Sequence, residues 1–184
     1  MFEREEIPPE ILRNIMLYCL DCYGPEGSAG KSGTSCTAMM FLSNWLQGLG
    51  DIGKLPVSIR YLRGSDVYVG DNSLLLDALH RGGAVVVRLY YEVAHYVLFT
   101  GVKDGQILLF DPYYQTVPFT KPDEKEALLV TDHPFSWNRS VPFSYFNRES
   151  MELYALGEMA GREAVLLFNR NTVLTEEATI EYFI

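Results

Sequence analysis

Ala84-Val85-Val86-Val87-Arg88-Leu89-Tyr90-Tyr91, Ala94-His95-Tyr96-Val97-Leu98-Phe99-Thr100-Gly101-Val102 and Gln106-Ile107-Leu108-Leu109-Phe110-Asp111 follow one another almost without interruption. Val, Tyr, Phe, Leu and Ile fit a pleated, half-buried surface, so the three runs are predicted strands. Lys103-Asp104-Gly105 between the last two is a hairpin turn signal and makes those strands antiparallel. Parallel strands would need a crossover of a dozen or more residues between each pair, and this stretch has no room for one.

Upstream, the pattern is helical. Ile7-Pro8-Pro9-Glu10 suits a first helical turn, and Ile11, Ile15, Met16, Leu17 and Leu20 would form the buried face of a helix near residues 10–22. Tyr23 to Gly33, rich in glycine and serine, reads as a loop. A second, buried helix is expected over Thr34 to Leu49, with Cys36, Met39, Met40, Ser43 and Leu46 on one face and Gly48 with Gly50 ending it. Ser73 to Arg81 predicts a short third helix stopped by Gly82-Gly83. Downstream, Ala127 to Thr131 and Glu163 to Phe168 are the runs best suited to extend the sheet. The expectation is one α+β domain, N-terminal helices first and an antiparallel sheet second.

At 184 residues, 48% apolar and 21% charged, the chain has an ordinary globular composition and the length of a single core. The net charge of -9, with no basic patch, argues against nucleic acid as a partner. The acidic start of the sequence is unlike a secretory signal, and no apolar run reaches the roughly 18 residues of a membrane span, so a cytoplasmic protein is expected. Cys19, Cys22 and Cys36 are an odd number, expected as thiols; Cys19 and Cys22 would be half a zinc site, but no second pair stands at ligand spacing. No metal or cofactor is expected.

The hairpin carries the chemistry. His95 near the start of one strand and Asp111 at the end of its neighbour come close together, and a carboxylate beside an imidazole fixes its tautomer and stabilises its charged form. The register decides whether they bond. A turn centred on Lys103 sets them opposite, whereas a two-residue Asp104-Gly105 turn offsets them by three positions. A histidine merely satisfied at a sheet edge is the plainer alternative. Lys31 to Met40 is a loop running into a buried helix, where unpaired N–H groups and the helix dipole favour a thiolate or an oxyanion.

Two stretches together resemble the papain-like cysteine peptidases that cut bacteriocin leader peptides after a double glycine. Ser32-Gly33-Thr34-Ser35-Cys36-Thr37-Ala38-Met39 fits the spacing of their Cys-Gly followed by small residues and Ala-Met; His95-Tyr96-Val97, the Asp104-Gly105 turn and Asp111-Pro112 fit the later part. The resemblance spans roughly residues 23–114 and implies a papain-like fold, His95 as general base and acid, and Asp111 orienting it. It implies a peptide or peptide-like substrate and a partner transporter or biosynthetic protein, since relatives are commonly fused to exporters.

By that alignment the nucleophile position holds Ser32 and the oxyanion-hole glutamine position holds Glu26. Serine forms no resting ion pair with imidazole, and an ionised Glu26 would repel an oxyanion. The resemblance therefore implies either an acyl-transfer enzyme or an inactive relative whose cleft binds peptides. Cys36 is the rival nucleophile, because Ser35-Cys36-Thr37-Ala38-Met39 is similar to the Ser-Cys-Trp-Ala-Phe of papain; in that register Gly30 takes the glutamine position, while the helix phase reads Cys36 as a buried core thiol. Gly24 to Ser32 also looks like a phosphate-binding loop, with Ile107 to Asp111 as a second nucleotide motif, but its outer glycines are separated by five residues where four are required.

Overall fold

The computed structural model describes residues 2, 4–28, 32–133 and 136–172. Three helices, α1 (Pro9–Tyr18), α2 (Cys36–Asp51) and α3 (Leu74–His80), accompany seven strands: β1 (Val57–Arg63), β2 (Ala84–Tyr91), β3 (Val93–Lys103), β4 (Gln106–Phe110), β5 (Leu128–Leu129), β6 (Arg139–Pro142) and β7 (Glu163–Asn169). All strands join one sheet in the order β1-β7-β2-β3-β4-β6-β5, antiparallel at every pairing. The α+β class follows directly.

Two cores lie on opposite faces of this sheet. The larger packs α3 and residues of the 145–156 segment against Val85, Val87, Leu89, Val97, Phe99, Ile107 and Leu109. The smaller packs α1 and α2 against Val57, Ile59 and Val165. Helices therefore cover both faces. The simple order of helices then sheet is also corrected: β1 falls between α2 and α3, and β7 returns to sit between β1 and β2. The signal for β1 was the alternation Val57-Ser58-Ile59-Arg60-Tyr61, whose odd members belong to the smaller core.

The first helix ends at Tyr18, four residues short of expectation. Leu20 adopts a left-handed φ of 57°, its N–H donates to Thr34 Oγ1 at 2.9 Å, and Cys22 N–H donates to Gly33 O at 3.1 Å. Those backbone groups thus serve the loop before α2 and not a further helical turn. Of the expected buried face only Ile11 is buried and Ile15 partly so, while Met16 and Leu17 are 69% and 68% exposed. The second helix runs past Gly48 and Gly50 to Asp51, and Gly53 at φ 71° follows its end. Gly50 has a packing role: a Cβ there would stand 2.1 Å from Val57 O, so only glycine allows α2 this close to β1.

The central hairpin is as expected, with a two-residue turn: Lys103 pairs with Gln106, and Asp104 and Gly105 both have positive φ (49° and 75°). Those angles match the right-handed twist of the flanking strands.

Candidate functional site

The register beyond the turn brings His95 and Asp111 together. In an unbroken ladder Asp111 would face Leu98, three positions from His95, and side chains an odd number of positions apart point to opposite faces. A bulge intervenes: Gly101 pairs with Leu108 but Phe99 pairs with Leu109, so Thr100 is the extra residue. Continuing that register one step beyond Phe110 sets Asp111 across from Val97. The offset to His95 becomes two, both side chains share a face, and His95 Nε2 lies 3.2 Å from Asp111 Oδ1. With the proton on Nε2 donated to the carboxylate, Nδ1 is the ring nitrogen left to act as base.

Asp111 is 1% exposed and held from every side. Oδ1 also accepts from Tyr113 N–H at 2.8 Å, and Oδ2 accepts from the Tyr154 hydroxyl at 3.0 Å. Its backbone N–H donates to Asn138 Oδ1 and its carbonyl accepts from Asn138 Nδ2, both at 2.8 Å. Arg139, itself buried, donates from Nε to the Tyr154 hydroxyl at 3.1 Å and from Nη2 to Tyr113 O at 2.9 Å. Burial opposes ionisation of Asp111, but the His95 bond and charge, the Tyr113 N–H and the Tyr154 hydroxyl outweigh it and hold the carboxyl below its ordinary value. Burial and the Asp111 charge push the Tyr154 hydroxyl the other way, so it stays protonated and donates. Tyr154 sits at φ 58°, a strained conformation for a bulky side chain, at a residue that orients the carboxylate.

His95 is 21% exposed at its side chain and opens on a cleft of about 550 Å³ between the N-terminal end of α2 and the β2–β3 end of the sheet. Ser32, Cys36, Cys22, Tyr96 and Arg88 line the same cleft. The reading of Cys36 as a buried core thiol is corrected: it is exposed and is the first residue of α2. The face that packs is set by Ala38, Leu42 and Ser43, which leaves Cys36 and Met40 toward solvent. Ser35 caps this helix by accepting from Ala38 N–H at 3.1 Å, and Asp21 accepts from Ser35 N–H at 2.7 Å and from its hydroxyl at 2.6 Å. The Ser35 hydroxyl and then its N–H hold the Asp21 carboxyl below its ordinary value.

Of the sequence candidates, Ser32, Cys36 and His95 therefore meet at one cleft, with Asp111 directly behind His95. Glu26 is exposed on the turn after Gly24 and does not line it. Gly30 and Lys31 lie outside the described residues, so the glutamine position of the Cys36 register and part of the phosphate-loop pattern do too. The second nucleotide motif falls on β4, in an antiparallel ladder with β3 and β6, and its Asp111 is engaged by His95. The described residues contain no group of three or more His, Cys, Asp or Glu placed to hold a metal, and no helix among them is long and apolar enough to cross a membrane.

Several supporting residues carried no sequence signal. Asn138 and Tyr154 reach Asp111 from 27 and 43 positions away, and Arg139 braces Tyr154 and Tyr113 behind it, contacts set by tertiary packing. Beside the cleft, Tyr61 and Tyr96 donate to the two oxygens of buried Glu163 at 2.5 and 2.6 Å, joining β1, β3 and β7 on the face that carries α2. Comparison of the chain with protein-family models, curated proteins and solved structures finds no match, so the functional argument rests on this geometry.

Proposed function

We propose that the chain is a papain-like acyl-transfer domain acting on the amide or thioester carbonyl of a peptide or peptide-like substrate. Cys36 is the nucleophile, His95 the general base and acid, and Asp111 the residue that orients the imidazole. The observation that carries the reading is the meeting, at one open cleft, of an exposed thiol on the first residue of a 16-residue helix and a histidine backed by a buried carboxylate. Three parts suffice for nucleophilic acyl transfer: a thiol, a base to take its proton and a third group to hold the base.

In this mechanism His95 Nδ1 takes the Cys36 proton and Sγ attacks the carbonyl carbon. The first-turn N–H groups of Cys36 and Thr37, which have no intrahelical acceptor, face the developing oxyanion. The imidazolium is stabilised by Asp111 and returns the proton to the leaving amine or thiol. The acyl group now on Sγ is released to water, giving a hydrolase, or to an amine, giving a transferase. Glu26 has no part, which removes the repulsion expected of a carboxylate in the oxyanion hole.

A second reading is favoured by one observation: Ser32, which holds the nucleophile position of the peptidase resemblance, also lines the cleft. Under it the cleft binds a peptide without cutting it, with exposed Tyr113 and Tyr114, next to Pro112 in the cleft wall, offering aromatic contact. The two readings separate on intact-mass analysis after exposure to an activated peptide thioester. Acyl transfer predicts one acyl adduct, mapped to Cys36, lost in Cys36→Ala and kept in Ser32→Ala. An adduct on Ser32, or bound peptide with no adduct, overturns it.

A further inference from the structure

The cleft belongs to an acidic chain of net charge -9, yet no carboxylate side chain lines it among the described residues. Apart from the imidazole, the one ionisable cation in its lining among the described residues is Arg88. Arg88 is on β2, directly across from Tyr96 on β3 and next to the Leu89–His95 pair. Its one hydrogen bond is from Nη1 to Gly161 O, at a long 3.3 Å, and it makes no ion pair among the described residues. Glu163, the buried carboxylate on the same sheet face, makes no ion pair with it and has both oxygens engaged by tyrosine hydroxyls. A guanidinium offers five N–H donors in a planar fork that matches a carboxylate, and most of this fork is unengaged.

We propose that Arg88 makes the cleft selective for a substrate carrying a carboxylate close to the reacting carbonyl. The proposal rests on the reading of Cys36 as nucleophile and names the substrate class for that site. Arg88 and His95 are on adjacent rungs, so their side chains leave the sheet on opposite faces; Arg88 is on the face that carries α2, and it reaches the cleft that Cys36 and His95 also line, which places the guanidinium against a substrate held there. The recognised group is a substrate carboxylate, either an acidic side chain or a free C-terminus. An amide at that position would leave the guanidinium without its counter-charge, the kind of mismatch that discriminates most strongly.

The test uses the full chain and two alkylating reagents of nearly the same size, anionic iodoacetate and neutral iodoacetamide. Rates are read at Cys36 by mass spectrometry, with Cys19, outside the cleft lining, as internal reference. The expected ratio of iodoacetate to iodoacetamide rates is roughly tenfold higher at Cys36 than at Cys19, the scale of one charge-assisted hydrogen bond. Arg88→Gln should bring the ratio down to the Cys19 value, and Arg88→Lys should retain part of it. A ratio at Cys36 unchanged by Arg88→Gln overturns the proposal. His95→Ala should lower both rates and leave the ratio alone, which separates the general base from the selectivity residue.

A binding arm keeps the two proposals distinguishable. Calorimetric titration compares glutarate with its diamide, and then an acidic peptide amidated at its C-terminus with a neutral peptide bearing a free C-terminus. Preference for glutarate, lost in Arg88→Gln, supports the carboxylate site even if Cys36 proves inert, in which case only the acyl-transfer reading falls. Equal binding of acid and amide, or binding of neither, overturns the carboxylate site whatever Cys36 does. The peptide pair decides which carboxylate is read.

Discussion

The two walls of the cleft are built differently. On the sheet side, His95 rests on Asp111, whose carboxylate oxygens and backbone groups are all engaged by His95 on β3, Tyr113 after β4, Asn138 just before β6 and Tyr154 in the segment after β6. On the helix side, Ser32 and Cys36 are exposed, and the local order comes from an exposed Asp21–Ser35 pair and a helix cap. The imidazole is thus oriented by the core as the protein folds, whereas Cys36, the proposed nucleophile, is placed by the exposed first turn of α2 and the loop before it. Substitutions on the sheet side should cost stability, and those on the helix side should chiefly change reactivity.

The largest stability effect is expected at Arg139. Arg139→Ala removes a buried guanidinium that serves Tyr154, Tyr113 and Asn138, leaving their acceptors dry, and should destabilise by about 3–5 kcal/mol in urea unfolding. A loss below about 1 kcal/mol would mean that the sheet-side wall is no firmer than the loop, erasing the contrast.

Asp111→Asn should cost about 1–3 kcal/mol near neutral pH, the price of replacing the ionised acceptor of several hydrogen bonds. Because the folded-state value of Asp111 lies below its ordinary value of 3.8, its contribution is present above about pH 4 and is lost as pH falls through the folded value. The native and Asp111→Asn stability curves should therefore converge on the acid side. Parallel curves down to about pH 2.5 would show that the carboxylate is not ionised against His95.

Ser35→Ala tests the other wall and should have the smallest effect, about 1 kcal/mol, as loss of one helix cap does. Its larger consequence should be a change in Cys36 alkylation rate, since the cap fixes the first turn of α2. A melting temperature lowered as far as in Arg139→Ala would again abolish the distinction.

Much of the sheet side was legible in sequence. Strands β2, β3 and β4 follow from their composition and from Asp104-Gly105, and both His95 and Asp111 stand out on them. Their pairing did not follow, because it depends on one extra residue: without the bulge at Thr100 the two side chains would point to opposite faces. Gly101, an isolated glycine within a strand pattern, was the signal available for that bulge. Cys36 was misplaced for a different reason. Helical spacing groups it with Met39 and Ser43, but a residue in the first turn lies at the margin of the packed face, and Ala38, Leu42 and Ser43 set that face. Asn138, Arg139, Tyr154 and the unpaired charge of Arg88 were invisible because long-range packing alone brings them to the site.

The measurement that tests the central claim most directly is the rate of iodoacetamide alkylation at Cys36, compared with Cys19 in the same molecule, from about pH 6 to pH 8 in the native chain and in His95→Ala. A working pair of thiol and base predicts that Cys36 labels at least tenfold faster than Cys19 at the acid end and that His95→Ala abolishes the advantage. Equal labelling of the two thiols, or a Cys36 rate indifferent to His95, would contradict the account and leave the cleft as a binding site.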